Sequence, residues 1–220
     1  MAVLSPLVVE VFGPSCAGKS TLIDGLARRM AADGADLLLH DANRPGSRRA
    51  GRLHQLRGYT APGFAAWCAV NPGRAASARG RKFALSLGLS RALHGRPGVH
   101  VLDEGPMKRA ATLVRGSTAP SRLLAAIPQP GLAVLVTCDF DVRLARLRAT
   151  GRDHARTLGD AELRARDELR AEGDRWVAEQ LGVQLLRLDT TDGQDWSGHV
   201  ARAIHERMQA APPVDRRERG

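Results

Sequence analysis

The sequence is poor in aromatic residues, cysteine and lysine. Three Trp, one Tyr and four Phe are spread over 220 residues. That leaves few platforms on which the bases of a single-stranded nucleic acid could stack. The three cysteines, Cys16, Cys68 and Cys138, lie far apart without a C-x-x-C pair. This excludes a disulfide framework and argues against a structural zinc site. No apolar run reaches the ~18 residues a membrane-spanning helix needs. The first residues, MAVLSPLVVEVF, carry no basic stretch and run straight into a glycine loop, unlike a signal peptide. The expectation is a cytoplasmic protein with no membrane partner. Of the 33 basic residues only Lys19, Lys82 and Lys108 are lysines.

What is present is ordinary for a globular chain: 43% hydrophobic and 25% charged residues. The length suits one domain with its own core. The net charge of +10 fits an anionic partner, either phosphates in a pocket or a nucleic acid. It fits equally well the arginine bias of a GC-rich coding sequence.

Short apolar runs at 7–12, 37–40, 99–102, 132–137 and 183–188 read as strands. Helical spacing at 20–32, 74–93, 107–114, 121–127, 141–150, 159–181 and 198–210 falls between and after them. Strands alternating with helices predict a parallel sheet covered on both faces, an α/β fold of three layers. Residues 1–210 form the expected domain, with an acceptor-binding region at about 41–95 and a lid at about 150–158. The Pro-rich, charged stretch 211–220 reads as a disordered tail.

The strongest signal is Gly13-Pro14-Ser15-Cys16-Ala17-Gly18-Lys19-Ser20-Thr21, which fits G-x-x-x-x-G-K-[ST]. It follows a predicted strand and opens a predicted helix, the context that gives the pattern its meaning. Glycines let successive backbone N–H groups turn inward around a phosphate, and the helix end adds positive charge. Lys19 is then the residue that reaches the outer phosphates, and Ser20 a magnesium ligand. Cys16 reads as a small filler rather than a redox switch.

The predicted third strand ends in Asp103-Glu104. Ligands of open α/β sheets bind beyond the carboxyl ends of the strands. Asp103 is therefore the metal-side candidate, and Glu104 the residue that orients an acceptor or takes its proton. The plainer alternative is that both acids cap the following helix. Asp41, at the end of the predicted second strand, is a further candidate for the acceptor proton; turn chemistry also explains it. Arg44, Arg48 and Arg49 follow it as candidate anion ligands or a solvated face. Arg143 and Arg146 lie three apart on a predicted helix, and Arg152 and Arg156 lie in the loop beyond. Such arginines could close over transferring phosphates and exclude water. The alternative is a surface helix in an arginine-rich chain. Phe64, Trp67 and Phe83 either line an acceptor pocket or belong to the core.

Together these segments resemble the small-molecule kinases of the phosphate-loop superfamily, nearest the thymidylate kinase and deoxynucleoside kinase branch. The resemblance runs from the first strand to about Asp192. The 13–21 loop matches the family's phosphate loop. HDANRPG at 40–46 stands where thymidylate kinases carry R-E-P-G, and VLDEGP at 101–106 where the branch carries an acid followed by arginine. CDFDVRLARLRATGRD at 138–153 is similar to the strand–helix–lid run, and LLRLDTTDG at 185–193 to the loop beside the adenine. Gly105-Pro106 replaces the expected arginine, Asn43-Arg44 the acid before Pro45, and Thr150 a lid arginine. The chain thus resembles a divergent member, and the motifs that would name its acceptor are those that differ.

The resemblance implies a phosphate-loop kinase fold with an Arg-rich lid and a five-stranded parallel sheet. It implies ATP and Mg2+ as cofactors and transfer of the γ-phosphate to a nucleoside, nucleotide or related metabolite. Lys19, Asp41, Glu104, Arg146 and Arg152 are then the catalytic set, with Ser20 and Asp103 on the metal. Relatives of this kind often form homodimers. Two other readings stay open. One is a polynucleotide 5′-kinase or nucleic-acid-linked ATPase, motivated by the charge. The other is a regulatory ATPase with no kinase acceptor.

Overall fold

A computed structural model describes residues 6–41, 48–151 and 158–210, with the side chains of Arg48 and Arg49 left out. The predicted loop positions 42–47, including Arg44, lie outside the described residues. So do Arg152, Arg156 and the tail at 211–220.

Five apolar runs form the strands β1 (Leu7–Phe12), β2 (Leu37–Asp41), β3 (Val99–Asp103), β4 (Leu132–Thr137) and β5 (Leu185–Asp189). They pair in parallel in the order β2-β3-β1-β4-β5. The central strands β1, β3 and β4 are buried almost throughout, as continuous apolar runs require, whereas β2 and β5 are partly exposed. Every strand ends at the same rim, and crossing from β1 to β4 opens the switch point where such sheets bind ligands.

The helices are α1 (Lys19–Ala32), α2 (Arg48–Tyr59), α3 (Pro62–Val70), α4 (Pro72–Ala76), α5 (Ala78–Leu93), α6 (Pro106–Leu113), α7 (Pro120–Ala125), α8 (Phe140–Ala149), α9 (Asp160–Gln180) and α10 (Ser197–Ala210). Side chains of β1 alternate between two cores. Val9 and Val11 meet Leu26 and Met30 of α1 and Ile204 of α10. On the opposite face Phe12 and Leu135 meet Phe64, Trp67, Phe83 and Met107. This is the expected three-layer α/β/α arrangement.

One expectation changes, and one open alternative is decided. The helix predicted over 74–93 is broken at Ser77, whose side chain accepts a hydrogen bond from Gly80 N (3.1 Å) and starts α5. Phe64, Trp67 and Phe83 are fully buried, Phe64 stacking on Trp67 and meeting Phe83 edge-on, so of the two readings these rings belong to the core. Burying each such ring stabilises the fold by about 1.5–3 kcal/mol.

The 48–93 region is ordered by a close helix pair. A Cβ on Gly88 would lie 1.7 Å from His54 O, and one on Gly58 1.8 Å from Ala84 O. The backbones of α2 and α5 therefore touch, which only glycine permits. Among the described residues no helix is long and apolar enough to cross a membrane.

Candidate active site

The chain leaves β1 at Phe12 and enters α1 at Lys19 through a loop with three left-handed residues: Gly13 (φ 150°), Cys16 (φ 65°) and Gly18 (φ 91°). A Cβ on Gly13 would lie 2.1 Å from Val136 O, a backbone atom of β4, so glycine is obligatory there. The first turn of α1 contains no acid and receives no side-chain cap, which leaves its positive end open to a ligand anion.

Two side chains hold the loop from outside. Thr190 Oγ1, just beyond β5, donates to Ala17 O (2.7 Å). Arg143 of α8, itself buried, donates to Ser15 O (3.3 Å) and pairs with Asp167 of α9. Arg146, one turn further, reaches the other way. It donates to Thr190 O (3.2 Å) and meets Cys138 Sγ (3.4 Å). The two arginines that helical spacing groups together thus serve different partners.

Lys19 Nζ folds back onto its own loop, donating to Gly13 O (3.0 Å) and Pro14 O (2.9 Å), and lies 3.5 Å from Glu104 Oε1. Burial lowers its pKa, while the charges of Glu104 and Asp103 pull it back up. Glu104 also faces Arg109 at 3.4 Å. Burial would raise its carboxyl, but Lys19, Arg109 and Lys108 outweigh it and hold Glu104 below the usual carboxylate range. Its backbone is left-handed (φ 54°). Such a conformation in a non-glycine residue stores about 1–3 kcal/mol and persists only where the surroundings hold it.

Asp103 closes β3, in register with Val11 on one side and Asp41 on the other. Burial raises its pKa against the pull of Lys19, and Glu104 and Asp41 raise it further. Its Oδ1 is buried and has no hydrogen-bond partner among the described residues. Such an oxygen is suited to a cation or a bound water. Among the described residues no three side chains make a metal-binding group by themselves. A magnesium ion at Asp103 and Ser20 would thus need oxygens from a ligand, as this ion commonly does.

Lys19, Ser20, Asp103, Glu104 and Arg146 border one cleft of about 1720 Å³, which continues past Thr190 to Trp196. Its size exceeds the ~300–1,000 Å³ of ordinary small-molecule pockets, so it has room for a nucleotide. Asp41 adjoins this group across the β2–β3 ladder. Arg152 lies outside the described residues. A smaller crevice of about 210 Å³ behind the loop is lined by Pro14, Lys108, Arg143, Arg170 and Asp174 among others. Arg170 is depressed by burial and by Arg166, with Asp174 and Glu104 opposing. Arg166 and Arg170 are one helical turn apart on α9.

The acids of β3 do not cap α6. Its N-cap is Gly105, without a side-chain bond, and the first-turn amides of Met107 and Lys108 go to Glu10 of β1. Sequence reasoning missed Glu10, Thr190 and the buried Lys108–Asp174 pair (2.7 Å). A lone acid inside LVVEVF was the one available sign of the first. Neither a known protein family nor a curated protein matches this sequence.

Proposed function

We propose that the protein is an ATP-dependent phosphotransferase acting on a small-molecule acceptor, a nucleoside, nucleotide or related metabolite. The observation that carries this reading is the meeting of Lys19 with Glu104 and Asp103 at the mouth of a glycine-shaped loop, at one end of one cleft. ATP with magnesium would supply the phosphoryl group. The loop amides and Lys19 would bind its phosphates, with Ser20 and the unpartnered oxygen of Asp103 on the metal side.

Lys19 is stationed for this: besides Glu104 at 3.5 Å, it donates to two carbonyls of its own loop, which a phosphate oxygen with full charge would outcompete. Glu104 is kept ionised by its cationic neighbours. It can therefore accept a hydrogen bond from an acceptor hydroxyl and hold it in line, a role Asp41 shares from the next strand. Arg146 sits on the Thr190 side of the cleft and, with Arg152, would cover the phosphates or the base. The kinase branch and a homodimer rest on the sequence resemblance. Arg170, which feels the charge of Glu104, and Arg166 one turn before it on α9 favour, among acceptors, one that carries an anionic group.

The test is ADP release with magnesium-ATP against nucleosides, nucleoside monophosphates, short oligonucleotides and aminoglycoside- or peptide-type antibiotics, with Lys19→Ala in parallel. Acceptor-stimulated turnover that disappears in Lys19→Ala is the expected result. Stimulation by oligonucleotides alone would point to a polynucleotide kinase. Slow Lys19-dependent hydrolysis that no acceptor stimulates would point to a regulatory ATPase.

A further inference from the structure

β1 is buried on both faces and yet carries an acid in its middle. Glu10 is 1% exposed. Its Oε1 accepts from Lys108 N (3.1 Å) and its Oε2 from Met107 N (3.3 Å). These are amides of the first turn of α6, which no helix can satisfy from within. Pro106 opens that turn without an N–H, and Gly105 offers no side chain to cap it. The cap is instead brought from another element, 97 residues away in the chain.

The contact extends to the turn before α6. A Cβ on Gly105 would lie 2.7 Å from both Cδ and Oε2 of Glu10, so residue 105 is seated directly on the carboxyl. Immediately before it stands Glu104 in its left-handed conformation. That strained turn is fastened at both ends to neighbouring residues of β1. Glu104 N donates to Val11 O (3.0 Å), and the 105–108 segment is clamped on Glu10.

We propose that Glu10 is a positioning residue: its buried carboxyl fixes the first turn of α6 and thereby the turn that presents Glu104 to Lys19. The catalytic part of this inference rests on the kinase reading above; the structural part does not. The charged side chains that act on Glu10 are Asp174 on α9 and Arg109 on α6; Lys108 meets it through its backbone amide. The Lys108 ammonium is already engaged by Asp174 at 2.7 Å. Burial pushes the Glu10 carboxyl up to about 8, against the two amide bonds that lower it. The group changes charge just above neutrality, and ionisation strengthens the bonds it accepts from α6.

The experiment is Glu10→Gln. An amide oxygen can accept from one N–H, but the NH2 group cannot accept from the other, so one first-turn amide loses its partner. The expected result is a folded protein by circular dichroism whose kcat, compared with wild type above about pH 8 where Glu10 is ionised, falls about 10- to 100-fold, the cost of a small misplacement of a reacting group. KM for magnesium-ATP stays within about twofold, because the loop is untouched. In the wild-type protein without ligand, the NMR amide signals of Glu104, Met107 and Lys108 should move together through one titration near Glu10's pKa. In Glu10→Gln that movement should be gone.

An unchanged kcat in folded Glu10→Gln overturns the proposal. If Glu10→Gln does not fold, Gly105→Ala, which presses on the same carboxyl from above, takes its place with the same expected kcat loss and the same overturning result. If the wild-type protein turns over no acceptor, the kinase reading fails by itself and the amide titration decides. A Glu104 amide that follows Glu10 upholds the positioning role, and a silent one overturns it.

Discussion

Thr190→Val removes one hydroxyl from the outside of the loop and leaves the side-chain volume nearly unchanged. Thr190 Oγ1 has one proton and two carbonyls in range, Ala17 O at 2.7 Å and Thr137 O at 3.1 Å. Thr137 O already receives Thr190 N at 3.0 Å, so the proton belongs to Ala17. Ala17 is fully buried, and a methyl group in place of the hydroxyl takes this hydrogen bond from its carbonyl. Leaving such an acceptor unmatched costs about 1–3 kcal/mol. At about 2–4 °C per kcal/mol for a chain of this size, Tm should fall by about 2–12 °C. The strap also sets the peptide between Ala17 and Gly18, so magnesium-ATP should bind more weakly even where the variant is fully folded. Thr191→Val is the control: its hydroxyl bonds Asp189 and Asp139 in exposed surroundings and should cost less. Thermal unfolding and calorimetric titration with magnesium-ATP read both effects. A Thr190→Val protein that equals wild type in both would refute the strap.

Three further outcomes follow from the same geometry. Glu10 ionises near 4.5 in an unfolded chain and near 8 in the fold, so across that window the folded protein keeps a proton that the unfolded chain has lost. Its contribution should therefore be full below about pH 4.5, decline by a few kcal/mol up to about pH 8 and stay level above. Urea unfolding across this range should show a decline that Glu10→Gln flattens; parallel curves for the two proteins would contradict the burial argument. Lys108→Ala leaves Asp174 charged and buried without its partner, and should cost about 3–5 kcal/mol, whereas Lys108→Met with Asp174→Leu should recover most of it. Equal losses in the single and double variants by thermal unfolding would be inconsistent with this. Gly88→Ala forces α5 away from His54 O and should destabilise by at least the ~1–3 kcal/mol of an overpacked core; a wild-type Tm would show that the helices separate freely.

Strands and the loop were legible because their physics is local. An apolar run between Gly/Pro breaks reads as a buried strand, and the loop pattern follows from backbone conformations that need glycine at Gly13 and Gly18. The close pairing of α2 with α5 was not legible, since it depends on two glycines each meeting a carbonyl of the opposite helix, Ala84 O and His54 O, rather than on an apolar stripe. The aromatics of 64–83 went to the core because each buries a large apolar area, and the mostly apolar PGFAAWCAV of α3 gives Phe64 and Trp67 no polar face to leave by. Arg143 and Arg146 share a side of α8 by spacing, but Asp167 and the Thr190 carbonyl divide them.

The acids of β3 depend on a partner in the same way. From sequence, Asp103 and Glu104 could cap the next helix or face the loop, and local rules do not choose between these. The choice was made in β1, by an acid that periodicity treats as an error in an apolar strand. Because Glu10 supplies the cap of α6, Asp103 at the end of β3 and Glu104 in the turn beyond it are released from that duty. Glu104 can then spend its carboxylate on Lys19 and Arg109. Asp103 is left with an oxygen that no described group satisfies.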